Sequence, residues 1–256
     1  MKRFFVNQLV IAALVVAAAF TSCGKDENGD KVKLLETIVR DDGSYLKFEY
    51  DNQNRITKVS RYHDGEISWT ETYTYNSAGD LVKVASDDGW EGEYVRNANT
   101  ITLMYDGHEE GSVIINDNGY PIKVVQVDDG CDDLDEDDEY GCISMIEFIF
   151  TFDSNNNVTK VTYVYDGVDD GGTEFKYDNT KSPFYHCKTP KWALILFFLE
   201  EYEIGFTNNV IEANAHGGLV KYEYKFNADG YPTERTATAK DEDGDEVTWI
   251  ETFTYK

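Results

Sequence analysis

Apolar and polar residues alternate along short segments from residue 34 to the end of the chain. In residues 67–75 one face of an extended strand carries Ile67, Trp69, Tyr73 and Tyr75, and the other carries Ser68, Thr70, Thr72 and Thr74. This period of two is typical of a half-buried β-strand. Residues 247–255 repeat the pattern, so the chain ends on another copy of the same strand.

An internal repeat links these strands. Two aromatic residues separated by one position precede Asn or Asp, then Gly or Asn, then an apolar residue; copies lie at 48–59, 73–84, 113–124 and 150–161, with shorter ones at 175–178 and 224–232. Asn, Asp and Gly supply the positive φ angles of tight turns, and nine Asp-Gly pairs mark further reversals. We predict a mainly β fold in one domain, 34–256, built as an antiparallel hairpin meander that forms a curled sheet or an open barrel or roll.

One short helix is predicted near residues 190–203. Thr189 is placed to cap it, Pro190 fits its first turn, and residues 192–202 are apolar nearly all round. A helix this apolar is buried, and a membrane span needs roughly 20 residues. We therefore expect it to plug or cap the curled sheet.

The N-terminus predicts export. Lys2 and Arg3 precede an apolar run that ends in small residues before Cys23, which is typical of a signal peptide over residues 1–22. The segment resembles the lipobox of bacterial lipoproteins, and this resemblance implies lipidation of Cys23; the alternative is an ordinary secretory signal. Residues 23–33 are polar and acidic, and we expect a flexible tether.

Two further resemblances concern the cellular location of the protein and its family. The acidic residues after Cys23 are similar to the export signal of surface lipoproteins in Bacteroidetes-type bacteria; a plain linker facing the periplasm is the alternative. The repeat resembles the YD (RHS-like) repeats of secreted bacterial proteins. Together with the lipobox and residues 177–184, it is similar to uncharacterised Bacteroidetes lipoproteins with a domain of unknown function. These likenesses imply an outer-membrane, outward-facing location and no particular activity.

The net charge of the chain disfavours some classes of binding partner. The whole chain carries a net charge of −26, and residues 1–22 contain two of its Lys and Arg and no acid, so the remainder is more negative still. Such a chain repels phosphate, which makes nucleic acid a poor partner; the expected membrane contact is the lipid anchor.

The acidic loop at 128–139 is the candidate metal site. Asp135, Asp137 and Asp138 offer oxygen ligands of the kind that calcium takes, although the spacing is not that of an EF-hand. A merely solvated loop is the alternative, and we expect no cofactor beyond weak calcium. Cys131 and Cys142 bracket the loop, and a disulfide between them would close it; the alternative is that these thiols and Cys187 are unpaired.

Catalytic motifs were sought and none was found: the sequence has no Gly-x-Ser-x-Gly, no phosphate-binding Gly-rich loop and no His-Glu-x-x-His. Trp69, Trp90 and Trp249 are candidate ligand-binding residues, because sugar rings stack on such faces, with core packing as the alternative. We expect a non-catalytic surface scaffold for binding or adhesion. The alternatives are a glycan-binding accessory protein of a polysaccharide-uptake system and an enzyme of unrecognised type.

Lipidation gives the first testable prediction. The mature protein should begin at Cys23 and partition into detergent, and Cys23→Ala should abolish both the processing and the partitioning. Intact-mass analysis checks this, and an unmodified Cys23 in the exported protein would contradict it.

Overall fold

The computed structural model describes residues 32–127, 145–199, 203–215, 218–241 and 243–256. In these ranges, sixteen antiparallel strands form a closed barrel. They are β1 (Leu35–Arg40), β2 (Tyr45–Tyr50), β3 (Ile56–His63), β4 (Glu66–Tyr75), β5 (Leu81–Ser86), β6 (Glu91–Asn97), β7 (Thr100–Tyr105), β8 (His108–Ile115), β9 (Pro121–Val127), β10 (Met145–Phe152), β11 (Val158–Tyr165), β12 (Val168–Tyr177), β13 (Val210–Ala215), β14 (Gly218–Phe226), β15 (Pro232–Lys240) and β16 (Glu246–Tyr255).

The meander closes on itself. Each strand pairs with its neighbours in the sequence, and β1 also pairs with β16, with Ile38 opposite Phe253. Reciprocal backbone hydrogen bonds of 3.1 and 3.0 Å between Leu34 and Lys256 seal the junction. The mainly β prediction is confirmed, but the barrel is closed rather than open or curled, because the first and last strands satisfy each other's edges.

The repeat turns all lie at one end of the barrel, which we call the plugged end. In the turn that begins at Asn76, the side-chain oxygen accepts the backbone N–H groups of Ala78 and Asp80, at 2.9 and 3.0 Å. Gly79 takes a positive φ of 93°. The same acceptor geometry recurs at Asp51, Asn116, Asp153 and Asn227. The repeat is therefore the signature of a turn whose side chain satisfies its own backbone.

A tyrosine in each of several repeat copies ties neighbouring strands together at this end. The hydroxyl of Tyr75 donates to the carbonyl of Ile56 at 2.7 Å, and that of Tyr177 donates to the carbonyl of Val158 at 2.7 Å. Tyr224 and Tyr255 make equivalent bonds to Val210 and Pro232. The tyrosines thus contribute a polar bond as well as buried apolar surface.

The opposite end, which we call the open end, carries the Asp-Gly hairpins. Asp64 and Gly65 have φ angles of 52° and 80°. Positive φ at both central residues is the type I′ geometry that suits the twist of a hairpin. The pairs at 106–107 and 166–167 share it.

An internal segment, residues 178–209, connects β12 to β13, and its described parts, 178–199 and 203–209, pack inside the barrel; we call these parts the plug. It contains α1 (Lys191–Leu194), which continues as a single π-helical stretch, Ile195–Leu199. The buried helix is confirmed, within shorter bounds than 190–203, with 200–202 outside the described residues. Phe48 of β2 lies edge-on to Phe184 and Phe198 of the plug, with ring centroids 5.4 and 5.8 Å apart.

The plug is also hydrogen-bonded to the plugged end. The Thr189 hydroxyl accepts the backbone N–H of Ile56 at 2.8 Å, and the Lys188 N–H donates to the carbonyl of Asn54 at 2.9 Å. The prediction that Thr189 caps the helix is wrong: the cap position is Pro190, with no side-chain bond. The Thr189 side chain instead binds the plug to β3 of the barrel wall.

The two faces of the strands follow the predicted alternation, except at the first apolar positions of β4 and β16. The core takes in Trp69, Tyr73, Tyr75, Trp249, Phe253 and Tyr255, in full or in part. Ile67, predicted for the same face, is 52% exposed. Val247, the equivalent residue of β16, is 39% exposed beside an unshifted β15–β16 ladder, so both residues lie at strand ends beyond the packed core.

The outer face of the wall carries cross-strand ion pairs together with exposed apolar side chains such as Val95 and Ile149. Lys176 of β12 is 2.6 Å from Glu212 of β13, and Lys225 of β14 is 2.6 Å from Glu234 of β15. Further Lys–Glu pairs join β5 to β6, β9 to β10 and β11 to β12. Among the described residues, no helix has the length and apolar character to cross a bilayer.

Tyr75 tests the strand-linking hydroxyls. Tyr75→Phe keeps the ring and removes one hydrogen bond to the wall, so unfolding should become easier by about 1 kcal/mol, or roughly 2–4 °C in Tm. The matched control is Tyr45→Phe, since the Tyr45 ring stacks on Tyr62 but its hydroxyl bonds no described residue. Thermal unfolding followed by circular dichroism measures both, and equal midpoints for the two variants would contradict this role.

Candidate ligand-binding site

The plug leaves part of the barrel interior empty towards the open end. A cavity of about 490 Å³ lies there, between the inner faces of β6–β10 and residues Ile195–Phe197 of the plug. Its lining includes Trp90, Tyr94, Leu103, Tyr105, Val124, Gln126, Phe148, Phe150 and Glu110. A mostly apolar concavity with a few polar groups is the usual form of a small-molecule site.

Two aromatic rings stand at its mouth. Trp90 and Tyr105 stack with centroids 6.3 Å apart and an angle of 17° between their planes. They are 39% and 44% exposed, so ring faces remain available at the opening.

Local sequence explains how Trp90 is presented. The Asp88 carboxylate accepts the backbone N–H of Trp90 at 3.0 Å and the hydroxyl of Ser86, and these bonds lower the pKa of Asp88. Gly92 makes room for the ring: a Cβ at Gly92 would lie 2.8 Å from the Trp90 ring. Alternating strand geometry puts residue 92 on the inner face, so only a glycine there lets the indole fold over the mouth.

The floor of the cavity is aromatic and rigidly packed. The ring centroid of Tyr94 is 5.3 Å from that of Trp192 and 6.3 Å from that of Phe197. Burial, and then the negative charge of Glu71, raise the pKa of Tyr94. Its hydroxyl therefore stays protonated at neutral pH and can donate to a ligand.

Glu110 and Gln126 supply the polar groups of the inner lining. The described lining contains no Lys, Arg or His. The cavity can therefore stack flat apolar faces and accept or donate hydrogen bonds at its edge, and it does not favour an anion.

The barrel interior holds a separate charged cluster. Glu251 of β16 accepts from the Arg235 Nε at 2.7 Å and from the Arg40 Nε at 3.3 Å. Arg235 also donates to the carbonyl of Glu203 at 3.1 Å, and both Arg235 and Glu251 are nearly fully buried. On β4 the equivalent carboxylate, Glu71, accepts from Tyr73 at 2.5 Å. Each of these two carboxylates therefore accepts hydrogen bonds from side chains of the barrel itself.

The structure separates the three tryptophans proposed for ligand binding. Trp90 lines the cavity, whereas Trp69 and Trp249 pack against the core. The Arg61 guanidinium lies 5.8 Å from the centre of the Trp69 ring. This packing is what the core alternative describes for Trp69 and Trp249, and a ligand-binding role of the three tryptophans stays a prediction. Sequence reasoning missed Tyr105, Tyr94 and Gly92, and a glycine that interrupts an inward aromatic alternation was the available signal.

The other candidate residues lie outside the described part of the chain. They are Cys23, Cys131, Cys142, Asp135, Asp137 and Asp138. Cys187, the cysteine that the structure describes, is buried and forms no disulfide bond. No group of three or more His, Cys, Asp or Glu in the described ranges is arranged to hold a metal ion.

Comparison with known proteins shows a likeness of fold. No protein-family model and no curated protein sequence matches the chain. A porin-like protein from Bacteroides uniformis ATCC 8492 matches at a TM-score of 0.53 and 13% identity, over 88% of this chain and 96% of that one. At this identity the likeness extends to the fold alone.

Two matches to parts of much larger chains are weaker. A crystal structure of TcdB2–TccC3–Cdc42 matches at a TM-score of 0.25 and 10% identity, over 86% of this chain and 15% of that one. The Photorhabdus luminescens Tc holotoxin pore matches at a TM-score of 0.21 and 11% identity, over 88% of this chain and 10% of that one. These TM-scores carry no argument, so the resemblance to YD repeats stays a prediction.

Proposed function

We propose that this chain is a lipid-anchored, non-catalytic binding protein of the bacterial outer surface, whose barrel takes its ligand into the aromatic cavity at the open end. The observation that carries the proposal is the cavity itself. It is large enough for a small molecule, it opens to solvent, and Trp90 and Tyr105 offer exposed ring faces at its mouth.

The interior charges support a non-catalytic role. A catalytic carboxylate must be free to exchange a proton or to attack a substrate. Glu251 is held by two arginines, and Glu71 accepts from Tyr73. Both carboxylates serve the packing of the barrel and lie outside the cavity, whose described lining contains Glu93 and Glu110 but no His, Lys or Arg to act with them.

The outer wall supports a barrel that stands in water beside the membrane. A barrel that crosses a bilayer needs an outward apolar band about 25 Å tall. Here the outward face carries exposed apolar side chains such as Val95, Ile149 and Ile250, but cross-strand Lys–Glu pairs on many strands interrupt them. The likeness to a porin-like protein therefore implies no pore in this chain. Lipid at Cys23 would hold the barrel, and a tether of residues 23–33 reaches at most about 40 Å.

A glycan is the ligand class that the mouth of the cavity favours. Sugars present flat apolar faces edged by hydroxyl groups, and these match a ring platform bordered by Gln126, Glu110 and the Tyr94 hydroxyl. The absence of Lys, Arg and His from the described lining favours neutral sugars over acidic ones.

Trp90 tests this proposal. The mature chain should bind at least one member of a panel of neutral hexasaccharides (maltohexaose, cellohexaose, xylohexaose), with a change in tryptophan fluorescence. Trp90→Ala should weaken that binding about tenfold, which corresponds to about 1.4 kcal/mol. The control is Phe226→Ala, since Phe226 is 40% exposed and does not line the cavity.

The outcomes separate the parts of the proposal. If Trp90→Ala bound the sugar as tightly as wild type does, the binding site would lie outside the cavity. No binding across the panel would contradict the glycan assignment.

A further inference from the structure

A second cavity lies at the plugged end, away from the aromatic one. Its volume is about 360 Å³, and it separates the plug from the turns of the wall. Its polar and charged lining comprises Asp80, Arg96, Asn118, Tyr185, Lys188 and Lys191. It shares no lining residue with the cavity at the open end.

Lys191 is the unusual member of this set. It begins α1 within the plug and is partly withdrawn from solvent. No described carboxylate lies within 4 Å of its ammonium group, although 49 of the 256 residues are acidic. Burial, reinforced by the charge of Lys188, lowers the pKa of Lys191. An ammonium group in this position costs free energy unless an anion accompanies it.

The remaining charges do not supply that anion. Asp80 is already paired with Arg96, whose Nη1 lies 2.7 Å from the Asp80 carboxylate. Lys188 also has no ion-pair partner among the described residues. The two lysines therefore leave this cavity with an excess of about two positive charges on a strongly negative chain.

The fold holds the backbone that carries the lysines in place before any ligand arrives. The Lys188 backbone N–H is bonded to Asn54, and the adjacent Thr189 is bonded to Ile56 of β3. Holding this backbone in place lowers the ordering cost that binding would otherwise carry. The Asn118 amide and the Tyr185 hydroxyl add uncharged donors on the lining.

We propose that the cavity at the plugged end binds a small oxyanion, a phosphate or carboxylate group carried by a small molecule, through Lys188 and Lys191. The acidic remainder of the chain repels anions at long range. At physiological ionic strength that repulsion is screened within about 8 Å, so the neighbouring ammonium groups dominate. The cavity volume leaves room for an organic portion beyond the anionic group.

Calorimetric titration of the mature protein tests the site with two probes, sodium phosphate and sodium glucuronate, at ionic strength matched with sodium chloride. Wild type should bind one or both saturably, with half-saturation below about 1 mM, and the preferred probe identifies the anionic group. Lys188→Gln/Lys191→Gln should weaken this binding at least tenfold. The control, Lys47→Gln/Lys221→Gln, removes two exposed charges from the outer wall and should bind as wild type does.

Two further variants keep the result interpretable. Should the Lys191 change disturb folding, as judged by circular dichroism, Lys188→Gln alone alters an exposed side chain and should still weaken binding several-fold. Trp90→Ala should bind the anions unchanged, because the two cavities are separate. No saturable binding to wild type, or equal binding by both double variants, would overturn the proposal.

Discussion

The width of a closed sixteen-stranded barrel is the constraint on which the rest of this structure depends. Eight strands enclose an interior that their own side chains fill, whereas sixteen enclose a space that wall side chains cannot span. This wall points apolar residues such as Phe48, Val59 and Phe253 inward, so an unfilled interior would expose them to water. The plug meets that requirement by burying Phe184, Leu194 and Leu199 against them, each worth about 1.5–3 kcal/mol.

The plug also determines where ligands can bind. It enters between β12 and β13, is hydrogen-bonded to the turns of the plugged end, and stops short of the Asp-Gly hairpins. The space above Ile195–Phe197 becomes an aromatic cup, and the seam between plug and wall becomes a small cationic cavity. One segment thus stabilises the barrel and forms one side of both candidate sites.

Local features of this fold were predictable from the sequence, and long-range ones were not. Alternation and turn chemistry predicted the strands, since the side chain of Asn76 and the φ angles of Asp64 and Gly65 are set by near neighbours. Closure depends on β1 meeting β16, more than 200 residues away, and no local pattern encodes that pairing. The tryptophans show the same limit: Trp69 and Trp90 both lie near Asp-Gly turns, but Trp69 packs against the core whereas Trp90 lines a cavity.

Removing the plug is the most direct test of this account. Tyr177 and Val210 pair across β12 and β13, so a short Gly-Ser turn in place of residues 179–208 leaves every strand and ladder of the wall available. We predict that this variant loses the cooperative thermal transition of the intact barrel, because its inward aromatic face has nothing to pack against. A cooperative transition at the wild-type temperature, measured by circular dichroism and calorimetry, would show that the wall is stable alone and would contradict the account.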